Sequence, residues 1–381
     1  MIYLDHAATS FHKPPEVAEA VYHALQGIGN SGRGAHGASL NAARLVYRTR
    51  EAISRLFCVG DPSRVVFTAN ATESLNIALQ GLLQPGDHCI TTVLEHNSVL
   101  RPLYFLAERR GIHLTVVPAN KKGCIDVSDI EAALRADTKA VVVSHASNVT
   151  GNVLDIEAMG KICNKHGCLL ILDASQTAGL LPLDMQKVGI SALCCSGHKS
   201  LLGPQGTGVL CLANNVQPRP LRFGGTGVDS FSQRMPQVLP AALEAGTLNI
   251  HGLAGLLAAC EYLERYGQLR IFREATSLAN LFLKGIKDLP GVILYGDFTA
   301  AVRTPVVALN IRDLDSGEIE DALFQRFGIA TRSGAHCAPG VHSTFGTMDQ
   351  GMVRFSFSHF NTSKEVNEAI QALKILEEES R

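Results

Sequence analysis

From about Glu51 to Leu212 short apolar, β-branched runs alternate with segments of helical periodicity. Strands are predicted at Arg64–Thr68, His88–Val93, His113–Val117, Ala140–Ser144, Cys168–Leu172, Ala192–Ser196 and Gly208–Leu212. Between them, Glu73–Leu83, Val99–Arg110 and Ile156–His166 carry apolar residues at helical spacing. Strands that are apolar almost throughout are buried on both faces, so the pattern predicts an α/β fold with a mostly parallel sheet. Ligands of such sheets bind beyond the carboxyl ends of the strands.

After Leu212 the pattern changes. Residues 213–250 are rich in Gly, Pro, Asn and Gln and predict a long excursion. Helical periodicity returns over 251–288, followed by strands near Gly291–Leu294 and Val306–Ile311 and a helix near Ser316–Phe327. A loop is expected at 331–347, then a strand at Val353–Phe357 and a helix at Ser363–Glu378, with an N-cap at Thr362–Ser363 and Glu365 behind it. This is a smaller α+β unit.

Composition narrows the function. The 34 Lys and Arg against 35 Asp and Glu leave a net charge of −1, which argues against a nucleic-acid binder. At 46% hydrophobic and 18% charged residues, the chain can bury a large core and has few charges for its surface. Asp5 and His6 interrupt the N-terminus before a signal-peptide core forms, and no apolar run reaches the ~18 residues of a membrane span. The ten cysteines are irregularly spaced, with no C-x-x-C and no zinc pattern, as expected of reduced thiols in a cytoplasmic protein. Nine of them read as small buried hydrophobes.

Three segments carry candidate chemistry. In Ser196-Gly197-His198-Lys199 a strand runs into a glycine turn and presents a lysine at the ligand-binding edge of the sheet. Partial desolvation there lowers the lysine pKa and suits it to a Schiff base with an aldehyde, foremost pyridoxal 5′-phosphate (PLP). In isolation, a solvated lysine is the plainer reading. Leu169–Leu172 ends in Asp173, about one crossover unit before Lys199. It is either a helix cap or the acid that a pyridinium nitrogen needs. Thr68-Ala69-Asn70-Ala71-Thr72-Glu73-Ser74 joins a strand to a helix whose free N–H groups suit a phosphate, or it is an ordinary capping box.

Taken with further motifs, these residues resemble the cysteine desulfurase/selenocysteine lyase group of class V, fold-type I PLP enzymes. The motifs include Tyr3-Leu4-Asp5-His6-Ala7-Ala8, Arg33-Gly34-Ala35-His36, Glu95-His96-Asn97-Ser98 and Ser147-Asn148-Val149-Thr150-Gly151. They continue with Asp173-Ala174-Ser175-Gln176, Glu244-Ala245-Gly246-Thr247, Arg332 through Pro339 and Val353-Arg354-Phe355-Ser356, in family order along nearly the whole chain. The resemblance implies a large three-layer domain over 15–262 with a mixed, mostly parallel seven-stranded sheet, and a small α+β domain over 263–381 on which residues 1–14 pack. It implies that Lys199 bonds PLP, Asp173 holds the pyridinium N–H, Gln176 bonds the ring 3′-oxygen and His96 stacks on the ring. Ala71, Thr72, Ser196 and His198 would surround the phosphate, with Thr247 reaching it from the partner subunit of a homodimer. Asn148 would lie near cofactor and substrate. Arg354 would clamp the substrate carboxylate, with Arg332 and His36 beside it. No metal is implied.

Cys337 stands apart, in a loop of small residues with Arg332 and His336 as neighbours expected to favour its thiolate. The loop resembles the short nucleophile loop of SUF-type desulfurases. The implied reaction converts L-cysteine to L-alanine and leaves the sulfur as a Cys337 persulfide for an acceptor protein. A selenocysteine lyase acting on L-selenocysteine is the nearest rival; a class V aminotransferase or an idle sulfur-relay scaffold follows. Two departures stand out: Ala71, where relatives often carry Thr, and the unusual Gly340-Val341-His342-Ser343.

Overall fold

The computed structural model describes residues 1–31, 34 and 36–381. The chain opens with β1 (Ile2–Tyr3), α1 (Pro15–Gly27) and α2 (Gly37–Leu56). The alternating stretch begins with β2 (Val65–Thr68), α3 (Ala71–Leu82), β3 (His88–Thr92), α4 (Asn97–Arg110) and β4 (His113–Val117). It continues through α5 (Val127–Ala133), β5 (Thr138–Ser144), α6 (Ile156–His166), β6 (Leu169–Asp173), α7 (Met185–Val188), β7 (Ala192–Ser196) and β8 (Gly208–Leu212). Residues 213–249 hold no helix or strand. Then come α8 (Ile250–Tyr266), α9 (Gln268–Ile286), β9 (Val292–Tyr295), β10 (Val306–Ile311), α10 (Ser316–Phe327) and β11 (Ile329–Ala330). The chain closes with α11 (Pro339–Phe345), β12 (Val353–Ser356) and α12 (Ser363–Glu379).

Seven strands form one sheet in the order β2-β8-β7-β6-β5-β3-β4. Only β8 runs against its neighbours, β2 and β7; the other pairs are parallel. Alternate residues of each strand enter different cores. Val141, Val143, Leu170, Leu172, Leu193 and Cys195 pack in one. Ala140, Val142, Ile171, Ala192 and Cys194 pack in the other, on the opposite face. Helices cover both faces, which is why these strands read as unbroken apolar runs.

Beyond residue 286 lies a three-stranded antiparallel sheet, β12-β10-β9, and β1 from residues 2–3 joins β11 there as a parallel pair. Phe282 of α9 sits against Phe355 and Phe357, with ring centroids 4.6 and 5.2 Å away. The capping box of Thr362 and Glu365 starts α12. The expected strands and long helices after Glu51 all appear, shifted by at most two residues at their ends.

Two expectations are corrected. The loop expected at 331–347 contains a helix, α11, entered through Pro339 in the first turn, where its missing N–H costs nothing. Cys58 is exposed and Cys124 half-buried, so only seven of the ten cysteines are core residues. Cys58 sits at a left-handed φ of 53° just after α2, outside any strand. Helices α1 and α2 have no counterpart in the sequence reading.

Candidate active site

Lys199 is placed by the turn leaving β7. Gly197 donates to Thr207 O (2.8 Å), and Gly203 donates back to Gly197 O (2.7 Å). A Cβ on Gly197 would run into the Thr207 side chain, so only glycine permits this turn. The lysine enters a cavity of about 200 Å³ shared with Asn70, Ala71, Thr72, His96, Ser98, Ser144, Asn148, Asp173, Ser175, Gln176, Ser196 and His198. Burial lowers the Lys199 pKa, opposed by the Asp173 carboxylate and reinforced by Arg354.

Asp173 ends β6, next to β7. Its Oδ1 accepts Ser175 N–H (2.9 Å) and Ser175 Oγ–H (2.5 Å), leaving Oδ2 as the oxygen for a ligand. It therefore caps a turn rather than a helix. Gln176 Nε2 donates to Ala7 O (3.1 Å), which ties the N-terminal segment to the cavity wall.

The opposite wall is the start of α3. Asn70 caps the helix by accepting Glu73 N–H (2.9 Å). The Ala71 N–H reaches Ser196 Oγ (3.1 Å), and Thr72 Oγ1 lies 2.8 Å from Ser98 Oγ. His198 is held through Nδ1 by Thr9 Oγ1 (3.0 Å) and pushed down to about 4 by burial. His96 Nδ1 accepts Ser98 N–H (3.0 Å), so a neutral His96 carries its proton on Nε2. Burial and the nearby Lys199 lower its pKa. The helix N-terminus, two hydroxyls and a hydrogen-bonding ring form a seat for a phosphate.

Behind this wall lies Glu95, which the sequence reading quoted but gave no role. Thr92 Oγ1 donates to its Oε1 (2.7 Å), and Ser144 N–H and Oγ–H both donate to Oε2 (2.6 Å each). Loss of hydration nonetheless raises it to about 7.

Asp5 is the second unassigned residue. Its Oδ1 accepts Arg354 Nη2 (2.8 Å), and its Oδ2 accepts Arg332 Nε (2.9 Å) and Nη2 (2.7 Å). Arg354 is almost wholly buried. Its Nη1 donates to Asn148 O (2.9 Å), and its buried Nε has no partner. Two guanidinium groups on one carboxylate leave a positive charge, and a spare N–H, for a second anion.

Cys337 is exposed on the loop before α11. Its carbonyl accepts Asn97 N–H (2.7 Å), and Asn148 Nδ2 donates to His336 O (2.8 Å). The loop thus meets both the His96 turn and the Arg354 support. The backbone O of Val93 would block any Cβ at Gly340, which lets α11 lie close. One electrostatic expectation fails: burial pushes His336 down to about 3, so it is neutral and gives Cys337 no cationic neighbour.

Two predicted residues lie elsewhere in the chain. Thr247 lines a separate cavity with Tyr47, Arg50, Val228 and Glu244. His36 is exposed and caps α2 through Ser39 N–H (3.4 Å). Arg33 and Ala35 of its motif lie outside the described residues. Among the described residues no His, Cys, Asp and Glu cluster is placed to hold a metal ion, and no helix is long and apolar enough to cross a membrane.

A lysine and a carboxylate at neighbouring strand ends face a helix N-terminus in a doubly covered sheet, the arrangement of an α/β enzyme. The chain belongs to the aminotransferase class-V family, which it matches over residues 2–368. It is 34% identical over 376 residues to a probable cysteine desulfurase of Methanothermobacter thermautotrophicus, covering 96% of this chain and 92% of that protein. It is 32% identical over 397 residues to the cysteine desulfurase IscS of Vibrio vulnificus, covering 100% and 93%. The apo structure of a cysteine desulfurase from Thermococcus onnurineus NA1 superposes with a TM-score of 0.93 at 32% identity, covering 99% of this chain and 95% of that one. The Escherichia coli cysteine desulfurase CsdA, in an S-sulfonic acid form, gives 0.89 at 29% identity, covering 99% and 94%.

Proposed function

We propose that this chain is a PLP-dependent cysteine desulfurase that converts L-cysteine to L-alanine and keeps the sulfur as a Cys337 persulfide. The observation that carries the reading is the joining of three parts. The Lys199–Asp173 cavity, the Arg354 carboxylate clamp and the Cys337 loop meet through Asn148 and the His96–Asn97 turn. The residues fit PLP: Asp173 Oδ2 for the ring nitrogen, Gln176 and His96 for the ring, and Ala71, Thr72, Ser196 and His198 for the phosphate. When bound, PLP supplies an aldehyde for amines and a ring that takes up negative charge.

The chain's own residues do the rest. Arg354 holds the substrate carboxylate, and its spare Nε–H supplies a bond that Asp5 and Asn148 do not use. Lys199 Nζ, with its lowered pKa, takes the substrate α-proton. Neutral His96, with its proton on Nε2, is the nearby donor. Cys337, as thiolate, attacks the substrate sulfur. The new S–S bond forms as the C–S bond breaks, and that electron pair stays with the C3 unit, which gains a proton and leaves as alanine. One cysteine and one enzyme thiol become one alanine and one persulfide.

The finer readings rest on separate observations. Thr247 lies outside the cavity of its own chain, which supports a homodimer in which it completes the partner's site. Exposed Phe223, Phe231 and Tyr47 give such a dimer apolar surface to bury. The short loop from Arg332 to Pro339 supports a place in the SUF-type branch. A division near residue 262 is supported by the separate core around Phe282. A nucleophile that must stay reduced suits the cytoplasm. L-selenocysteine presents the same carboxylate and amine, so alanine release is measured from both amino acids side by side. Cys337→Ser is expected to retain the cofactor and lose alanine formation from cysteine; full activity in this variant would overturn the nucleophile assignment.

A further inference from the structure

The nucleophile loop contains two consecutive non-glycine residues in the left-handed region, His336 (φ 51°) and Cys337 (φ 55°). A Cβ crowds the backbone there, and such a turn persists only where its surroundings over-determine it. Asn97 and Asn148 hold the two carbonyls, as described. The remaining restraint is on the His336 side chain. Its Nε2 lies 3.2 Å from Arg332 O. A carbonyl only accepts, so Nε2 carries the proton and Nδ1 is bare. The ring lies parallel to His342, with centroids 5.9 Å apart and planes within 1°.

His342 is itself fixed. Its Nδ1 lies 2.9 Å from Thr347 Oγ1 and 3.3 Å from Thr347 O, and Thr347 N–H returns to His342 O (2.9 Å). Thr347 thus anchors the His342 ring through Nδ1. His336 Nδ1 is buried with no hydrogen-bond partner. Each ring is therefore held on its outer side, His336 at Arg332 O and His342 at Thr347, and the two rings lie parallel. Helix α11 brings the two together across six residues, and Ala338 and Val341 pack it against Val149 and Met352.

We propose that His342 is a positioning residue for Cys337: its ring, anchored on Thr347, backs the His336 ring and holds the left-handed turn that presents the thiol beside His96 and Thr72. The inference rests on the assignment of Cys337 as nucleophile. It gives a role to the unusual Gly340-Val341-His342-Ser343 stretch, which the proposed reaction leaves unused.

The test compares H342A and H342F with the wild type, full length and loaded with PLP. Alanine formation is measured over a range of L-cysteine, with cofactor absorbance and the rate of Cys337 alkylation by iodoacetamide, read by peptide mass spectrometry. H342A is expected to lower kcat about tenfold or more with KM within about twofold, because a small misplacement of a reacting group carries such a cost. Cofactor absorbance stays at the wild-type level, and the alkylation rate of Cys337 changes. H342F, which keeps a flat ring to back His336 but loses the Thr347 anchor, recovers part of kcat. Wild-type kcat and alkylation in H342A would overturn the proposal, as would H342F no better than H342A, or loss of the cofactor in H342A. If the wild type releases no alanine from cysteine, the desulfurase reading fails by itself, and the alkylation comparison still decides the role of His342.

Discussion

Asp5→Asn tests the two-arginine clamp. The change is isosteric and removes one charge. Arg332, half-exposed, can turn to water, whereas Arg354, with 3% of its side chain exposed, cannot. The single amide oxygen will therefore stay with Arg354, and the amide NH2 will face Arg332, to which it cannot bond. Breaking a buried ion pair costs about 3–5 kcal/mol. The hydrogen bond that Asn retains puts this variant near the lower end, about 3 kcal/mol. At roughly 2 °C per kcal/mol for a large domain, Tm falls by about 6 °C. Replacing both partners, as Asp5→Asn with Arg354→Met, removes the stranded charge and is expected to recover most of that loss. Thermal unfolding of the apo forms measures all three. A single variant melting within about 1 °C of the wild type, or a double variant no better than the single, would refute the assignment of Asp5 as the counterion of Arg354.

Glu95 makes the fold pH-sensitive. Its folded pKa lies above the usual 4.5, at about 7, so the native state binds the extra proton. Stability then falls as pH rises through that window, by about 3 kcal/mol. Glu95→Gln, whose oxygen still accepts from Ser144 and whose NH2 donates to Thr92, is expected to flatten Tm against pH between about 5 and 8; parallel curves for the two proteins would exclude Glu95 as the cause. A dimer with shared sites predicts complementation. Mixing Lys199→Ala subunits with Thr247→Ala subunits should regain activity that neither has alone, since one site of each mixed dimer is intact. Additive residual activities would place Thr247 outside the site.

The large sheet was legible because buried parallel strands announce themselves as apolar runs, and Lys199 and Asp173 because each directly follows or ends such a run. Helix α2 was not, because its buried face carries Ser39, Thr49, Arg50 and Ser54, which blur its period. Arg50 is buried against Glu244 (2.8 and 2.5 Å), a partner 194 residues away that no local pattern reveals. Asp5 was hidden for the same reason. The roles of Cys337 and Thr247 were inferred from resemblance, and a loop cysteine or a lone threonine has no periodicity to read. His336 misled because its charge depends on burial, which a sequence neighbour does not report.

The pairing of β1 with β11, and of Asp5 with Arg332 and Arg354, also sets an order of events during synthesis. Residues around β1 are completed by residues made much later, with Asp5 and Arg354 separated by 349 positions. At ~5–20 residues per second, Asp5 waits roughly 20–70 seconds for its partner. Through that interval the seven-stranded sheet can form and bury its cores, and the segment around Asp5 can reach Gln176 and His198 but not yet β11 or Arg354. The Arg354 side of the cavity is therefore completed last, once β11 and β12 have been made.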